Sequence, residues 1–340
     1  MTGPSALPGA TVTQGLDLLS RAMLPFWHPV CTVSELNDRN PLPVTLLERK
    51  LVVARLDDRT FVAMDARCPH RSASLACGKV DGAGIRCAYH GWRFGADGRC
   101  VDIPALPDGP VPGRAAVQAY DTAEAYSIVW VRLLRDAATV IPACPPYGRP
   151  GVHVVEGAPY TWPVGAHRRV ENFVDLSHFA FVHDGTLGRR DEPVPPIPEI
   201  ERAGGELRFV YDPPSMTVDT SALFGRSSYR MPMPCTVSIE FELASGANRY
   251  LWMTASPTTR ATCRVFWMHA RDDDLDGDDQ PYVDFQALVL DEDEPVVSSQ
   301  DPPDLPLDPA VELSLRTDKV SIEYRRWLRE LADQCEGAGV

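Results

Sequence analysis

From Val237 the apolar residues Ile239, Phe241 and Leu243 follow at every second position, with polar neighbours between, the period of a strand with one buried face. Leu207–Tyr211, Arg249–Ala255 and Cys263–Ala270 also read as strands. Nearer the start, Leu51–Leu56 and Thr60–Met64 flank Asp57-Asp58-Arg59 and predict a hairpin. Gly95-Ala96-Asp97-Gly98 marks a tight turn, and Ser127–Arg132 alternates as a half-buried strand would. Arg169–His183 can be written as a helix. Val311–Gln334 is helical in composition, with Asp308-Pro309 as a start signal.

These elements divide at a proline-dense stretch, residues 141–150, and 340 residues exceed what one core usually serves. The expected organisation is a loose arm over 1–26 with a short helical piece, an all-β domain over 27–145, and a domain over 146–340. The last is α+β, an antiparallel sheet with helices on one side.

Hydrophobic residues make up 44% of the chain and charged residues 24%, enough to build real cores. The formal net charge of −14 argues against a nucleic-acid partner, which wants a basic face. Apolar runs such as Ala22–Trp27 are short and broken by proline, so no membrane span is expected, and the chain reads as cytoplasmic. Nine cysteines form an odd set scattered along the sequence. Such a set fits metal ligands and buried thiols better than a disulfide framework.

Spacing separates the ligands from the rest. Cys68-Pro69-His70-Arg71 is followed, sixteen residues on, by Cys87-Ala88-Tyr89-His90-Gly91-Trp92. Two thiols and two imidazoles therefore arrive as C-x-H and C-x-x-H. Tetrahedral zinc accepts that donor set, but structural zinc sites usually bring paired cysteines and paired histidines from separate segments. A [2Fe–2S] cluster with thiolates on one iron and imidazoles on the other needs one Cys and one His from each loop. Its potential then lies at roughly −150 to +300 mV, against about −400 mV for plant-type ferredoxins. The two loops resemble the Rieske motif of the ring-hydroxylating oxygenase family. By that resemblance Cys68, His70, Cys87 and His90 hold the cluster, and Cys77 and Cys100 are structural thiols beside it.

A second constellation runs from Glu171 to His183, with Asn172, Asp175 and His178 at spacings of three on one helical face. His178 and His183 are five apart, about 140° past a full turn, so the backbone must widen or end between them. Asp175 is close enough to support a metal-bound imidazole. The segment is similar to the family's N-x-x-D-x-x-H-x₄-H signature. That likeness makes His178 and His183 ligands of a mononuclear Fe(II), with Asp175 and Asn172 as catalytic residues. The third ligand of a 2-His-1-carboxylate site is missing from the segment. Position alone does not choose among Asp291, Glu292, Asp293 and Glu294. The family pattern E-D-x-x-V-V matches Glu292–Val297 and points to Asp293, with Asp291 next in line.

The resemblance spans nearly the whole chain and is nearest to vanillate and dicamba O-demethylases and phthalate-type oxygenases. It implies a Rieske β-domain followed by a helix-grip catalytic domain, in a homotrimer whose electrons cross between subunits from His90 through Asp175 to His178. No dinucleotide fingerprint is present, so a separate NAD(P)H reductase, with or without a ferredoxin, supplies electrons. Arg67, Arg71, Lys79, Arg86, Arg93 and Arg99 surround the loops as a docking patch for it. The implied reaction uses O₂ to hydroxylate, or to O- or N-demethylate, an aromatic or polycyclic small molecule. Cis-dihydroxylation, a plain Rieske electron carrier and a zinc-binding protein are the alternatives. Met216, Phe224, Met231, Met233, Trp252 and Trp267 are the expected pocket lining.

Overall fold

Two stretches of strand, separated by the proline-rich segment, form two compact units: residues 1–141 with 335–340, and residues 142–334. The computed structural model describes residues 13, 15–82, 84–212 and 226–337. Half of the expected N-terminal arm, residues 1–12 and 14, and the pocket candidates Met216 and Phe224 lie outside the described residues.

In the first unit a short helix, α1 (Leu18–Met23), precedes ten strands. They are β1 (His28–Thr32), β2 (Leu42–Leu46), β3 (Arg49–Arg55), β4 (Phe61–Asp65) and β5 (Lys79–Val80). Then follow β6 (Gly84–Arg86), β7 (Arg93–Gly95), β8 (Cys100–Asp102), β9 (Ala119–Ala125) and β10 (Ile128–Arg132). A six-stranded antiparallel sheet has the order β1-β10-β9-β4-β3-β2, and a four-stranded one the order β5-β6-β7-β8. The expected hairpin is β3–β4, with Arg55 opposite Phe61 and the Asp57 carboxylate accepting from the Arg59 amide in the turn. The second expected turn joins β7 to β8. One strand departs from its pattern. All five residues of β10 are buried, not alternate ones, because its polar member Arg132 is paired to Asp121 and lies over the Trp27 ring. The core beneath runs from Val52 and Met64 through Leu75, Ile85 and Phe94 to Ile103, and contains Cys68 and Cys87.

The second unit opens with β11 (His153–Glu156), β12 (Tyr160–Trp162), α2 (Ala166–Val174) and α3 (Phe179–Val182). Six strands follow: β13 (Ile200–Ala203), β14 (Glu206–Tyr211), β15 (Arg226–Met233), β16 (Thr236–Glu242), β17 (Asn248–Thr259) and β18 (Thr262–Arg271). Helix α4 (Gln280–Val297) and, as far as Gln334, helix α5 (Lys319–Gly337) complete it. Among the described residues this is one antiparallel eight-stranded sheet of order β11-β18-β17-β16-β15-β14-β13, with β12 also on β18. Helix α2 packs on β17 and β18, and α4 on α2 and α3, so this unit is α+β with a helix layer against its sheet.

Three helix expectations need correction. Arg169–His183 is not one helix: α2 stops at Asp175, whose extended backbone ends it and whose side chain accepts the Ser177 amide. Asn172, Asp175 and His178 therefore do not share one continuous helical face. The C-terminal helix starts at Lys319, not near Asp308, because Asp308 spends its carboxylate on the Ala310 amide in a turn. Helix α4 was not expected at all. Its acidic run Asp291–Glu294 reads as solvated surface, yet Gln286, Asp293 and Val297 form a buried stripe at helical spacing.

Candidate metal centres

The loops carrying the first four candidate ligands are near copies of one another. In one, the Cys68 amide donates to the Ala73 carbonyl and Ser72 donates back to Cys68. In the other, Cys87 donates to Trp92 and Gly91 donates back to Cys87. The fifth residue of each turn has positive φ, 56° at Ser72 and 72° at Gly91. Space is also tight at Gly91, where a Cβ would lie 3.0 Å from the Pro104 side chain.

This geometry brings the Cys68 and Cys87 thiols together inside the core. The imidazoles of His70 and His90 are less buried, with ring centroids 4.4 Å apart. Trp92 stacks on His70 at 4.7 Å and nearly parallel. Burial drives the Cys68 thiol up to about 11, opposed by the His70 amide and reinforced by Cys87. Buried protonated thiols beside histidine ring nitrogens are a donor set that a cation deprotonates and occupies. The Nδ1 atom of His70 is buried without a hydrogen-bond partner, and desolvation with the neighbouring His90 and Arg71 charges holds its ring below the ordinary pKa. A neutral imidazole with a bare nitrogen fits an iron ligand. Cys100 instead gives its thiol hydrogen to the Asp102 carbonyl, and Cys77 is exposed. Of the basic residues around the loops, Arg86 is tied to Asp81 and Asp102 and Arg99 to Asp97.

The second centre is assembled from distant parts of the chain. Among the described residues, His178, His183 and Asp293 form the group whose ligand atoms all lie within 4.8 Å of one another. Asp293 Oδ1 lies 3.5 Å from His178 Nε2 and 3.3 Å from His183 Nε2. Asp291 and Glu294 are exposed on other faces of α4. The His183 carbonyl accepts from the Thr186, Leu187 and Gly188 amides, which fixes the turn after it.

Glu292, which the sequence offered only as one of four acidic candidates, accepts from His183 Nδ1 at 2.6 Å and from the Thr186 hydroxyl at 2.7 Å. With Nδ1–H spent there, His183 presents a bare Nε2 to the Asp293 carboxylate. Two electron-rich atoms at that distance need a cation or a proton between them. The electrostatics agree. Burial pushes His183 toward neutrality, but Asp293 and Glu292 outweigh it and raise its pKa. Burial likewise pushes Asp293 up, but the His183 hydrogen bond and the Arg169, His178 and His183 charges hold it below its ordinary value. On the other imidazole, His178 Nδ1 lies 3.4 Å from Asp175 Oδ2 and has no aligned partner. Asn172 donates to Asp293 Oδ1 at 3.2 Å, and Arg169 to Asn172 Oδ1 at 2.6 Å.

Two cavities meet at these residues, and Asn172, His178 and Asp293 belong to both. One holds about 780 Å³ of empty space, partly open to solvent, with walls including Phe173, Phe179, Ile239, Phe241, Leu251 and Val289. Its wall also carries Gln286 and His269, joined at 2.9 Å. Burial pushes His269 down to about 4, so its ring is neutral at pH 7. The other cavity is polar and reaches Asp175, Glu171, Glu312 and Arg325, with Leu313 and Val296 on its rim.

The expected lining is corrected accordingly. Met231, Met233, Trp252 and Trp267 are all buried but line neither cavity. The indole N–H groups of Trp252 and Trp267 are spent on the Ala143 and Ala158 carbonyls. Strand alternation and position along each strand decide which apolar residues face the opening, and composition does not carry that. Gln286, His269 and Arg169 escaped the sequence reading. The spacing of Gln286 two turns before Asp293 could have flagged it once α4 was recognised.

Comparisons with known proteins match both halves. Residues 26–121 fit the model of the Rieske [2Fe-2S] domain, and residues 162–334 fit that of the vanillate O-demethylase oxygenase C-terminal domain. The chain is 42% identical over 318 residues to methylxanthine N1-demethylase NdmA of Pseudomonas putida, covering 91% of this chain and 89% of the relative. It is 41% identical over 320 residues to methylxanthine N3-demethylase NdmB of the same species, covering 90% and 89%. The solved structure of Pseudomonas putida CBB5 NdmA with caffeine superposes with a TM-score of 0.87 at 41% identity, covering 93% of each chain.

Proposed function

Because this chain belongs to the Rieske non-haem iron oxygenase family, whose cofactors are a [2Fe–2S] cluster and a mononuclear iron, we propose that it is an N-demethylating oxygenase component acting on N-methylated heteroaromatic rings of the methylxanthine kind. The observation that carries the reading is the largely apolar cavity that has His178, His183 and Asp293 in its wall together with the Gln286 amide and His269. Such a cavity takes a flat ring by its faces and fixes its orientation through one edge.

In this reading Cys68, His70, Cys87 and His90 hold the cluster, and His178, His183 and Asp293 hold Fe(II). When bound, the ferrous centre activates O₂ so that one oxygen atom enters a substrate C–H bond, with two electrons supplied through the cluster. Glu292 keeps the His183 proton on Nδ1, leaving Nε2 free to bind. Asn172 steadies Asp293, and the aromatic walls exclude water. The Gln286 amide, oriented by neutral His269, meets a polar atom on the ring edge. A hydroxylated N-methyl group is a carbinolamine, which releases formaldehyde.

Electrons come from a separate NAD(P)H reductase, with or without a ferredoxin, docking on basic residues near the cluster. Arg67, Arg71 and Lys79 are exposed there, as is Arg99 beside Asp97, and added salt slows reduction in proportion. The working assembly is a homotrimer in which Asp175 links one subunit's cluster to the next subunit's iron. Leu313, 90% exposed on the rim of the cavity that contains Asp175, supports an interface there. None of the described helices is long and apolar enough to cross a membrane. With the cysteines unpaired, a reducing cytoplasm fits.

The test is O₂ uptake and formaldehyde release with a surrogate reductase, across N-methylxanthines, methoxybenzoates and unmethylated aromatics. One formaldehyde per O₂ with an N-methyl ring is expected. Cis-dihydrodiol without formaldehyde would replace demethylation by dihydroxylation.

A further inference from the structure

Arg168 and Arg169 are adjacent, and each is 1% exposed. Their charges are handled differently. Arg168 pairs with Glu312 at 2.9 Å and lies 3.9 Å from Glu171, and both carboxylates also bind Arg325. Two guanidiniums and two carboxylates balance within that cluster. Among the described residues Arg169 has no carboxylate within 4.0 Å. Its Nε donates to the Tyr160 hydroxyl at 2.9 Å and its Nη1 to Asn172, while the guanidinium lies over Trp162 at 4.6 Å and Phe173 at 5.2 Å. A buried charge without a contact partner is costly and must be offset by charge nearby.

The nearest offset runs through Asn172. Because its Oδ1 accepts from Arg169, its Nδ2 is turned to Asp293, so the guanidinium and the Asp293 carboxylate are one amide apart. Three carboxylates touch the histidine pair: Asp293 itself, Glu292 on His183 and Asp175 near His178. With Arg169 the surroundings carry two net negative charges, which match a divalent ion. Without Arg169 they carry three, which match a trivalent one. In a buried site of low dielectric this difference is weakly screened.

We propose that Arg169 is a positioning and charge-balancing residue that biases the mononuclear site toward ferrous over ferric iron, acting through Asn172 on Asp293. The inference rests on the reading that His178, His183 and Asp293 hold iron.

The test compares Arg169→Met, which removes the charge, with Arg169→Lys, which keeps it, in the full chain with its cluster. A mediated redox titration followed by EPR reads the high-spin ferric signal of the second site and the reduced-cluster signal separately. The couple is Fe(III) taking one electron from the mediator to give Fe(II). In Arg169→Met the preference for ferric iron grows at least tenfold, a shift of about 59 mV to lower potential for a one-electron couple. Arg169→Lys stays near the unaltered chain, and the cluster midpoint moves in neither. Arg169→Gln, which keeps a hydrogen-bond donor without the charge, carries the same expectation should Arg169→Met fail to fold. Iron bound at an unmoved potential in the charge-free variant overturns the inference, and so does an equal shift in Arg169→Lys. His183→Ala tests the reading beneath it. Second-site iron that survives His183→Ala shows that the ligand assignment failed, whatever Arg169 does.

Discussion

Cys68 and His70 sit on one tight turn and Cys87 and His90 on another, each closed by its own pair of backbone hydrogen bonds. The second centre has no such local frame: Asn172 and Asp293, which touch, are 121 residues apart. Burial differs too. In the first region the thiols lie inside and the imidazoles face outward, whereas His183 and Asp293 are 1% and 4% exposed. The first arrangement suits electrons that enter and leave at a surface. The second suits chemistry that must exclude water, and it depends on packing around the whole sheet. Sites of the first kind are specified by spacing, and sites of the second by the fold.

The largest effects come from breaking each region alone. Cys87→Ser is expected to abolish the iron–sulfur absorbance and leave iron at the second centre, and His183→Ala the reverse, both read by iron and sulfide analysis. Joint loss of both signals in either variant would deny that the regions load independently. Next is Asp175→Asn, which leaves both metals bound and lowers turnover by about 100-fold or more if this carboxylate couples them. A variant that turns over normally would remove Asp175 from the electron route. Glu292→Gln sharpens the contrast by loosening only the outer support of His183. Iron at the second centre should bind about 10–100-fold more weakly, measured by retention against a chelator, with the cluster untouched.

The smallest effect is shared by both regions. Burial pushes His28 in the first unit and His269 in the second down to about 4 from 6.5. The unfolded chain therefore takes up these protons first as pH falls. Stability is complete above pH 6.5 and declines until about pH 4, by about 3 kcal/mol for the fully buried His28 ring and by less for His269, which lines the partly open cavity. Urea unfolding across that window should show the decline, and His28→Gln should flatten it in the first unit. A flat profile in the unaltered chain would contradict the burial of these rings.

Legibility in the sequence followed the same division. The β3–β4 hairpin, the β7–β8 turn and the strands β14, β16, β17 and β18 could be read because their periodicity is local. The two Cys/His turns stood out for the same reason. The stop at Asp175 could not be read, because it rests on one side chain choosing the Ser177 amide over continued helix. Helix α4 was hidden by its own acidic run. The family pattern pointed to Asp293, but its place beside the histidines depends on the phase of a helix that packs against α2 and α3. Arg169 was invisible since nothing in Arg168-Arg169 says which guanidinium finds carboxylates.

Helix α4 also works as a ruler. Gln286 and Asp293 lie on one side of it, seven residues apart, and at 1.5 Å per residue that is about 10 Å along the axis. Under the proposed function, a guest anchored by its edge at one mark offers only the atoms that reach the other, so the helix would select by length which corner of a ring is oxidised. Moving the polar mark by a single turn would rotate or slide the same guest and present a different corner.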